Sequence, residues 1–242
     1  VNGVVAVGAH PDDLEIFCGG TLARYARRGV PVVGVIAARG EKGTRQPGAD
    51  PERLAVVRRA EAEASARLLG LRDLVFLGFP DGELDRVVGA LRERLTAVYR
   101  RYRPRAVFAF DPWRPYELHP DHRAAGLAAV DARLAAKLPL YYPEQAALGL
   151  QPWDVGELYL YNPAQPDTWF AVDETFACKL EALGAHRSQF DDRERQEMAE
   201  ALRAEARRNG PRAGAEYAEG FKRFRFDGLQ ILQNFTRQDR EG

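Results

Sequence analysis

Through its first 140 residues the chain alternates short apolar runs with segments of helical length, and that alternation leaves few folds open to it. The runs at 4–7, 32–37, 74–77 and 106–110 are rich in β-branched and aromatic residues. They are apolar nearly throughout, not on every second residue. Strands read this way when helices cover both faces of a parallel sheet. Between them, 19–28, 51–69 and 84–102 have helical composition, and 123–137 follows the fourth strand. Gly29 closes the first helix, while Pro51 opens the second and Gly70 stops it. Strands and helices in this order form right-handed βαβ units. The fold class is therefore α/β: a Rossmann-like three-layer sandwich with a mostly parallel sheet.

The second part of the chain is less regular. Residues 141–153 are rich in Pro, Tyr and Gly and read as a loop. The runs 158–161 and 168–172 read as strands, and Asp173 as the N-cap of a helix reaching about Ser188. Residues 191–208 are charged and Ala-rich, which predicts an exposed helix or a mobile segment, and 221–235 fits no single period. Without a repeat or a low-complexity linker, one domain over 1–242 is expected, with a Rossmann-like core at about 1–140 and an irregular C-terminal elaboration at about 141–242.

Composition removes several function classes. Lys+Arg 35 balances Asp+Glu 35, so the basic excess of a general nucleic-acid binder is missing. No apolar run approaches the roughly 20 residues of a membrane span, and the first residues lack the pattern of a secretory signal. The two cysteines, Cys18 and Cys178, read as small buried hydrophobes, not a disulfide framework. A cytoplasmic protein is expected, and a homo-oligomer is compatible with this composition.

Two polar clusters interrupt the pattern. Ala9-His10-Pro11-Asp12-Asp13-Leu14-Glu15 follows the first strand directly. In open α/β sheets, ligands bind at the carboxyl ends of the strands. His10 and Asp13 offer a nitrogen and an oxygen suited to zinc, and Asp12 beside them is left as a free carboxylate. The plainer alternative is that both aspartates cap the next helix. The second cluster, His119-Pro120-Asp121-His122, follows the fourth strand and so lies at the same sheet edge. Three of the four histidines in the chain fall in these two clusters. His10, Asp13 and one histidine of the second pair make three ligands, and three ligands with an open position is the pattern of a catalytic metal.

With these motifs the sequence resembles the PIG-L/LmbE-like family of zinc-dependent N-acetylglucosamine deacetylases. The resemblance extends over Gly-Gly-Thr-Leu at 19–22 and Arg-Gly-Glu-Lys-Gly at 39–43. It continues through Arg58-x-x-Glu61, Leu-Gly-Phe-Pro-Asp-Gly at 77–82 and His186-Arg187-Ser188-Gln189. It implies a Rossmann-like fold with His10, Asp13 and His122 as ligands of Zn2+, other divalent metals being admissible. It further implies Asp12 as general base and His119 as oxyanion partner. Asp121 would orient a histidine, and Arg58 would contact the substrate. The reaction implied is removal of an N-acetyl group from an N-acetylglucosaminyl conjugate or oligosaccharide. Amide hydrolysis needs an activated water, a polarised carbonyl and a proton for the leaving amine. Two other readings are set beside it: an amidase of thiol–sugar conjugates using the same site, and a non-catalytic sugar- or metal-binding protein. Glu15, Asp81, Trp113, Tyr116, Glu117 and His186 carry no settled role at this level.

Overall fold

The computed structural model of the chain describes residues 3–226. Its strands are β1 (Val4–Gly8), β2 (Val32–Ala38), β3 (Asp73–Phe79), β4 (Ala106–Phe110), β5 (Glu157–Tyr161), β6 (Thr168–Ala171) and β7 (Ala218–Arg225). Its helices are α1 (Asp13–Arg27), α2 (Pro51–Leu69), α3 (Val88–Tyr102), α4 (Pro120–Lys137), α5 (Pro143–Ala147), α6 (Phe176–Leu183) and α7 (Asp192–Ala213). The strands form one sheet in the order β3-β2-β1-β4-β5-β7-β6. The first five are parallel, and β7 runs antiparallel to both β5 and β6.

This order has a direct cause. The chain steps outward from β1 to β2 to β3, then returns to the other side of β1 with β4 and continues to β5. Right-handed crossovers therefore place α1 and α2 on one face and α3 and α4 on the other. Every residue of β1, β2 and β4 is buried, as their unbroken apolar runs require. The reversal between β1 and β4 opens a crevice at their carboxyl ends, the usual ligand position in such sheets.

Several boundaries differ from the sequence reading. α1 begins at Asp13, six residues before the expected start at Gly19, so the connection from β1 is only Ala9 to Asp12. The expected helix 84–102 is interrupted: a 3-10 turn at Leu84–Arg86 precedes α3, because the Asp121 carboxylate holds the Leu84 amide. α4 starts at Pro120, three residues earlier than expected, so the second motif forms its first turn. Asp173 does not cap α6; its carboxylate accepts the Tyr217 amide at 2.6 Å, and Thr175 occupies the cap position. α6 ends at Leu183, short of Ser188. The loop 141–153 contains the short helix α5.

The C-terminal part is also more ordered than an irregular elaboration. It adds β5 to the parallel sheet, and β7 and β6 beyond it. Asp191 and Glu194 form a reciprocal capping box that starts α7. Of the unassigned stretch 221–235, residues 221–225 belong to β7, and those beyond 226 lie outside the described residues.

α4 carries the second motif and sits tightly against β4. Its buried face is almost entirely alanine. At Gly126 even a methyl group is excluded, since a Cβ there would lie 2.6 Å from the Phe110 carbonyl oxygen. The far end of α4 is closed by buried Arg100, which donates to the carbonyls of Ala135, Ala136 and Leu138. These are the last-turn acceptors that a helix cannot satisfy by itself. Gly126→Ala is expected to cost about 1–3 kcal/mol through overpacking. Thermal denaturation checks this: an unchanged Tm would mean that α4 can lift off β4 freely.

Candidate active site

The short β1–α1 connection places His10, Asp12 and Asp13 at the crevice, and the first turn of α4 brings His119, Asp121 and His122 to meet them. Asp13 stands between two histidines. Its Oδ2 lies 3.7 Å from His10 Nδ1 and its Oδ1 lies 3.5 Å from His122 Nε2. Both separations are long for hydrogen bonds. They approach the roughly 3.3 Å edge of a tetrahedron of ligands about 2.0–2.1 Å from a central zinc. Asp13 thus stands near both histidines, through a different oxygen for each, while another group of donors within 4.8 Å of one another is His10, Asp81 and Asp121. One ring nitrogen each of His10, His119 and His122 also lie within 4.8 Å of one another.

Negative charge converges on His10. Its Nε2 is 3.1 Å from Asp121 Oδ2 and 3.2 Å from Asp81 Oδ1, on the opposite edge from Asp13. Burial opposes charge on this imidazole, yet the Asp121 and Asp81 carboxylates overcome it and raise its pKa to about 10. Burial likewise works against ionisation of Asp81, but His10 holds its carboxyl at about 2. Three carboxylates around one imidazole fit a site that accepts a cation. A carboxylate on Nε2 also fixes the proton there and leaves Nδ1 free as a ligand. Asp121, fully buried, is thereby the orienting residue for His10, and it accepts the Gly82 and Leu84 amides as well.

His122 is positioned by stacking. Phe110 lies against it with ring centroids 4.1 Å apart, and His119 stacks on it at 4.3 Å. Its buried Nδ1 makes no hydrogen bond, and Glu117 Oε1 stands 3.6 Å away. Glu117 accepts the His119 amide with the same oxygen. Sequence reasoning left Glu117 and Asp81 without roles. Both lie in loops that also suit ordinary turns, and only the fold shows them facing the histidines.

His119 is the N-cap of α4, and its Nδ1 accepts the Asp121 amide at 3.3 Å. An accepting Nδ1 leaves the proton on Nε2. Burial, with His10 and His122 nearby, lowers its pKa, so His119 is a neutral donor through Nε2.

Asp12 has a φ of 132°, a backbone conformation that an L-residue adopts only under constraint. The constraint is Arg58. This guanidinium is 3% exposed and donates to the Pro11 carbonyl at 2.7 Å, the Gly40 carbonyl at 3.0 Å and Asp12 Oδ2 at 3.1 Å. Burial pushes the Asp12 carboxyl up to about 7 against the pull of Arg58. A base with a pKa near the working pH is well matched to proton transfer. Arg58, expected as a substrate contact, is here occupied in holding the loop that carries Asp12.

Around this centre, the Glu41 carboxylate accepts the Asp81 amide, and Asp81 accepts the Lys42 amide. Glu61 accepts both the amide and the hydroxyl of Ser188. Glu15 is buried, accepts a hydrogen bond from Ser65 and lies 3.5 Å from the fully buried His186. His186 is thus a structural neighbour of the first motif. Trp113 and Tyr116 are exposed on the loop before His119, so neither serves the core.

Known proteins resemble this chain in sequence and in fold. The family model described as PIG-L, GlcNAc-PI de-N-acetylase, matches residues 5–133. The chain is 33% identical over 222 residues to diacetylchitobiose deacetylase of Thermococcus kodakarensis, covering 92% of this chain and 83% of that protein. It is 35% identical to the 1D-myo-inositol 2-acetamido-2-deoxy-alpha-D-glucopyranoside deacetylase of Streptomyces avermitilis, covering 72% of this chain and 64% of that protein. The structure of N,N'-diacetylchitobiose deacetylase from Pyrococcus horikoshii superimposes with a TM-score of 0.86 at 34% identity, over 96% of this chain and 88% of that one. Both motifs lie within the matched segment, and the chain belongs to the PIG-L family.

Proposed function

We propose that the protein is a metal-dependent amide hydrolase that removes the N-acetyl group from an N-acetylglucosaminyl conjugate or oligosaccharide. The observation that carries this reading is the Asp13 carboxylate standing 3.5–3.7 Å from nitrogens of His10 and His122, with the Asp12 carboxylate held beside it by Arg58. His10, Asp13 and His122 would hold the metal, and zinc suits two imidazoles and a carboxylate. Support for the substrate class comes from relatives named as deacetylases of diacetylchitobiose and of an inositol conjugate of the same amino sugar.

When bound, the metal supplies Lewis-acid polarisation of the amide carbonyl and activation of water. The remaining chemistry falls to the chain. Asp12 takes the proton of the attacking water and returns it to the amine nitrogen as the C–N bond breaks, yielding acetate and the free amine. His119 Nε2–H donates to the carbonyl oxygen as charge develops there, an interaction worth roughly 2.7–4 kcal/mol in comparable sites. Asp121 and Asp81 keep His10 in the ligating tautomer. Arg58 fixes Asp12. Among the described residues, no helix is long and apolar enough to cross a membrane. A cytoplasmic setting belongs to the same proposal, supported by two free cysteines.

Three outcomes test the reading. Protein stripped with a chelator should lose amine release from N,N'-diacetylchitobiose, regain it with zinc, and melt at a lower temperature than the loaded form. Turnover that persists without metal would refute it. Asp12→Asn should lower kcat by about 10²–10⁴ while the metal content stays that of wild type; a variant that keeps full turnover removes Asp12 as the base. Asp121→Ala should weaken metal affinity about 10–100-fold in a chelator competition, and an unaltered affinity would show that His10 needs no carboxylate behind it.

A further inference from the structure

The loop ahead of the second motif is turned against ordinary burial preference. Tyr116 is 94% exposed and Leu118 84% exposed, while the side chain of Glu117 between them is only 13% exposed. Sorting by polarity alone would give the reverse, with the carboxylate outside and the two apolar side chains within. The backbone is bent to keep this arrangement. Tyr116 has a φ of 61°, in the left-handed region that side chains disfavour. The Arg123 guanidinium, on α4, donates to the Glu117 carbonyl.

Both oxygens of this inward carboxylate are directed. Oε2 accepts from Asn162 Nδ2 at 3.3 Å and lies 3.7 Å from Arg114. Asn162 follows β5 directly and is itself left-handed, with a φ of 56°. Oε1 accepts the His119 amide at 3.1 Å and faces His122 Nδ1 at 3.6 Å. That ring nitrogen is buried and has no hydrogen-bond partner. An approach of about half an ångström would bring the pair within hydrogen-bond range.

His122 needs such a group. Phe110 and His119 stack on its two faces with interplanar angles of 13° and 14°, which fixes the plane of the ring. Stacking does not choose the edge that faces Asp13. A half-turn about the Cβ–Cγ bond keeps the plane and exchanges ring nitrogens with ring carbons. A neutral imidazole has one N–H donor and one acceptor nitrogen. A carboxylate at Nδ1 places the proton there and leaves the Nε2 lone pair toward Asp13 Oδ1, 3.5 Å away. His10 is arranged the other way round, with Asp121 and Asp81 at Nε2 and Asp13 at Nδ1. We propose that Glu117 is the positioning residue of His122, fixing its ring edge and its Nδ1 proton so that Nε2 is presented to a divalent metal. The inference rests on the reading of His122 as a metal ligand, and it adds a residue that belongs to neither motif.

The test reads zinc affinity by chelator competition, and the protonated ring nitrogen of His122 by isotope-edited NMR of the zinc-loaded protein. Wild type should carry the His122 proton on Nδ1. Glu117→Ala should bind zinc about 10–100-fold more weakly. Glu117→Gln, whose amide oxygen can still accept from Nδ1–H and from the His119 amide, should lose less. A merely structural role would instead lower the Tm of the metal-free variants and leave zinc affinity alone. That result, a wild-type proton on Nε2, or an affinity unchanged in both variants would overturn the proposal. Glu117→Gln and the wild-type proton decide the matter even if Glu117→Ala does not fold. Amine release from N,N'-diacetylchitobiose, measured on the same preparations, separates the two levels of inference. Wild type that holds zinc with the Nδ1 proton but releases no amine leaves Glu117 in its role and removes the hydrolase reading. Glu117→Ala that turns over with wild-type zinc affinity removes the role and leaves the hydrolase reading in place.

Discussion

The buried carboxylate of Asp121 is the interaction on which the rest of the site depends. It joins three pieces of chain that are far apart in sequence: His10 after β1, the Gly82–Leu84 turn after β3, and its own helix α4. Burial disfavours a charge at this position, yet His10 and the two amides hold its carboxyl below the usual carboxylate range. An ionised group kept in place this way is strongly directional. It sets the imidazole edge that faces Asp13, and it sets the course of the loop that presents Asp81. Removing it would leave the Gly82 and Leu84 amides without their acceptor, and for the buried Leu84 amide that is a loss of about 1–3 kcal/mol.

The sheet makes that junction available. Because β4 returns to the inner side of β1, the ends of two βαβ halves lie next to each other without a long connection. His10 and His122, the proposed metal ligands, come from opposite halves, so the site forms only when the halves are assembled. Close approach of α4 to β4 at Gly126 then fixes the height of His119 and His122 over the crevice. Fold and chemistry are coupled through packing, a coupling that does not need the site loops to be rigid by themselves.

Much of this was legible in the sequence. Apolar runs fixed by burial on two faces gave β1, β2 and β4 to within a residue, and Pro51 with Gly70 bounded α2 correctly. The two motifs marked the sheet edge because they followed strands of known direction. What escaped was long-range. Arg58 carries no local sign that its partners are Pro11, Asp12 and Gly40, and in sequence it reads like any arginine of a charged helix. Glu61 and Ser188 belong to weak pieces of the resemblance, and their mutual hydrogen bonds show why the pieces occur together. The C-terminal strands were blurred because β7 mixes basic and aromatic residues, as an antiparallel strand of intermediate burial permits.

The backbone of Asp12 has a consequence for how this protein can change. A φ of 132° suits glycine and strains every other residue, so the site stores conformational energy at the position that needs a carboxylate. Replacement by glycine would relax the turn and remove a partly buried charge together. Loss of chemistry at this position would therefore come with a gain in thermal robustness. Selection for stability alone would favour glycine there, at the expense of the carboxylate that the proposed chemistry needs.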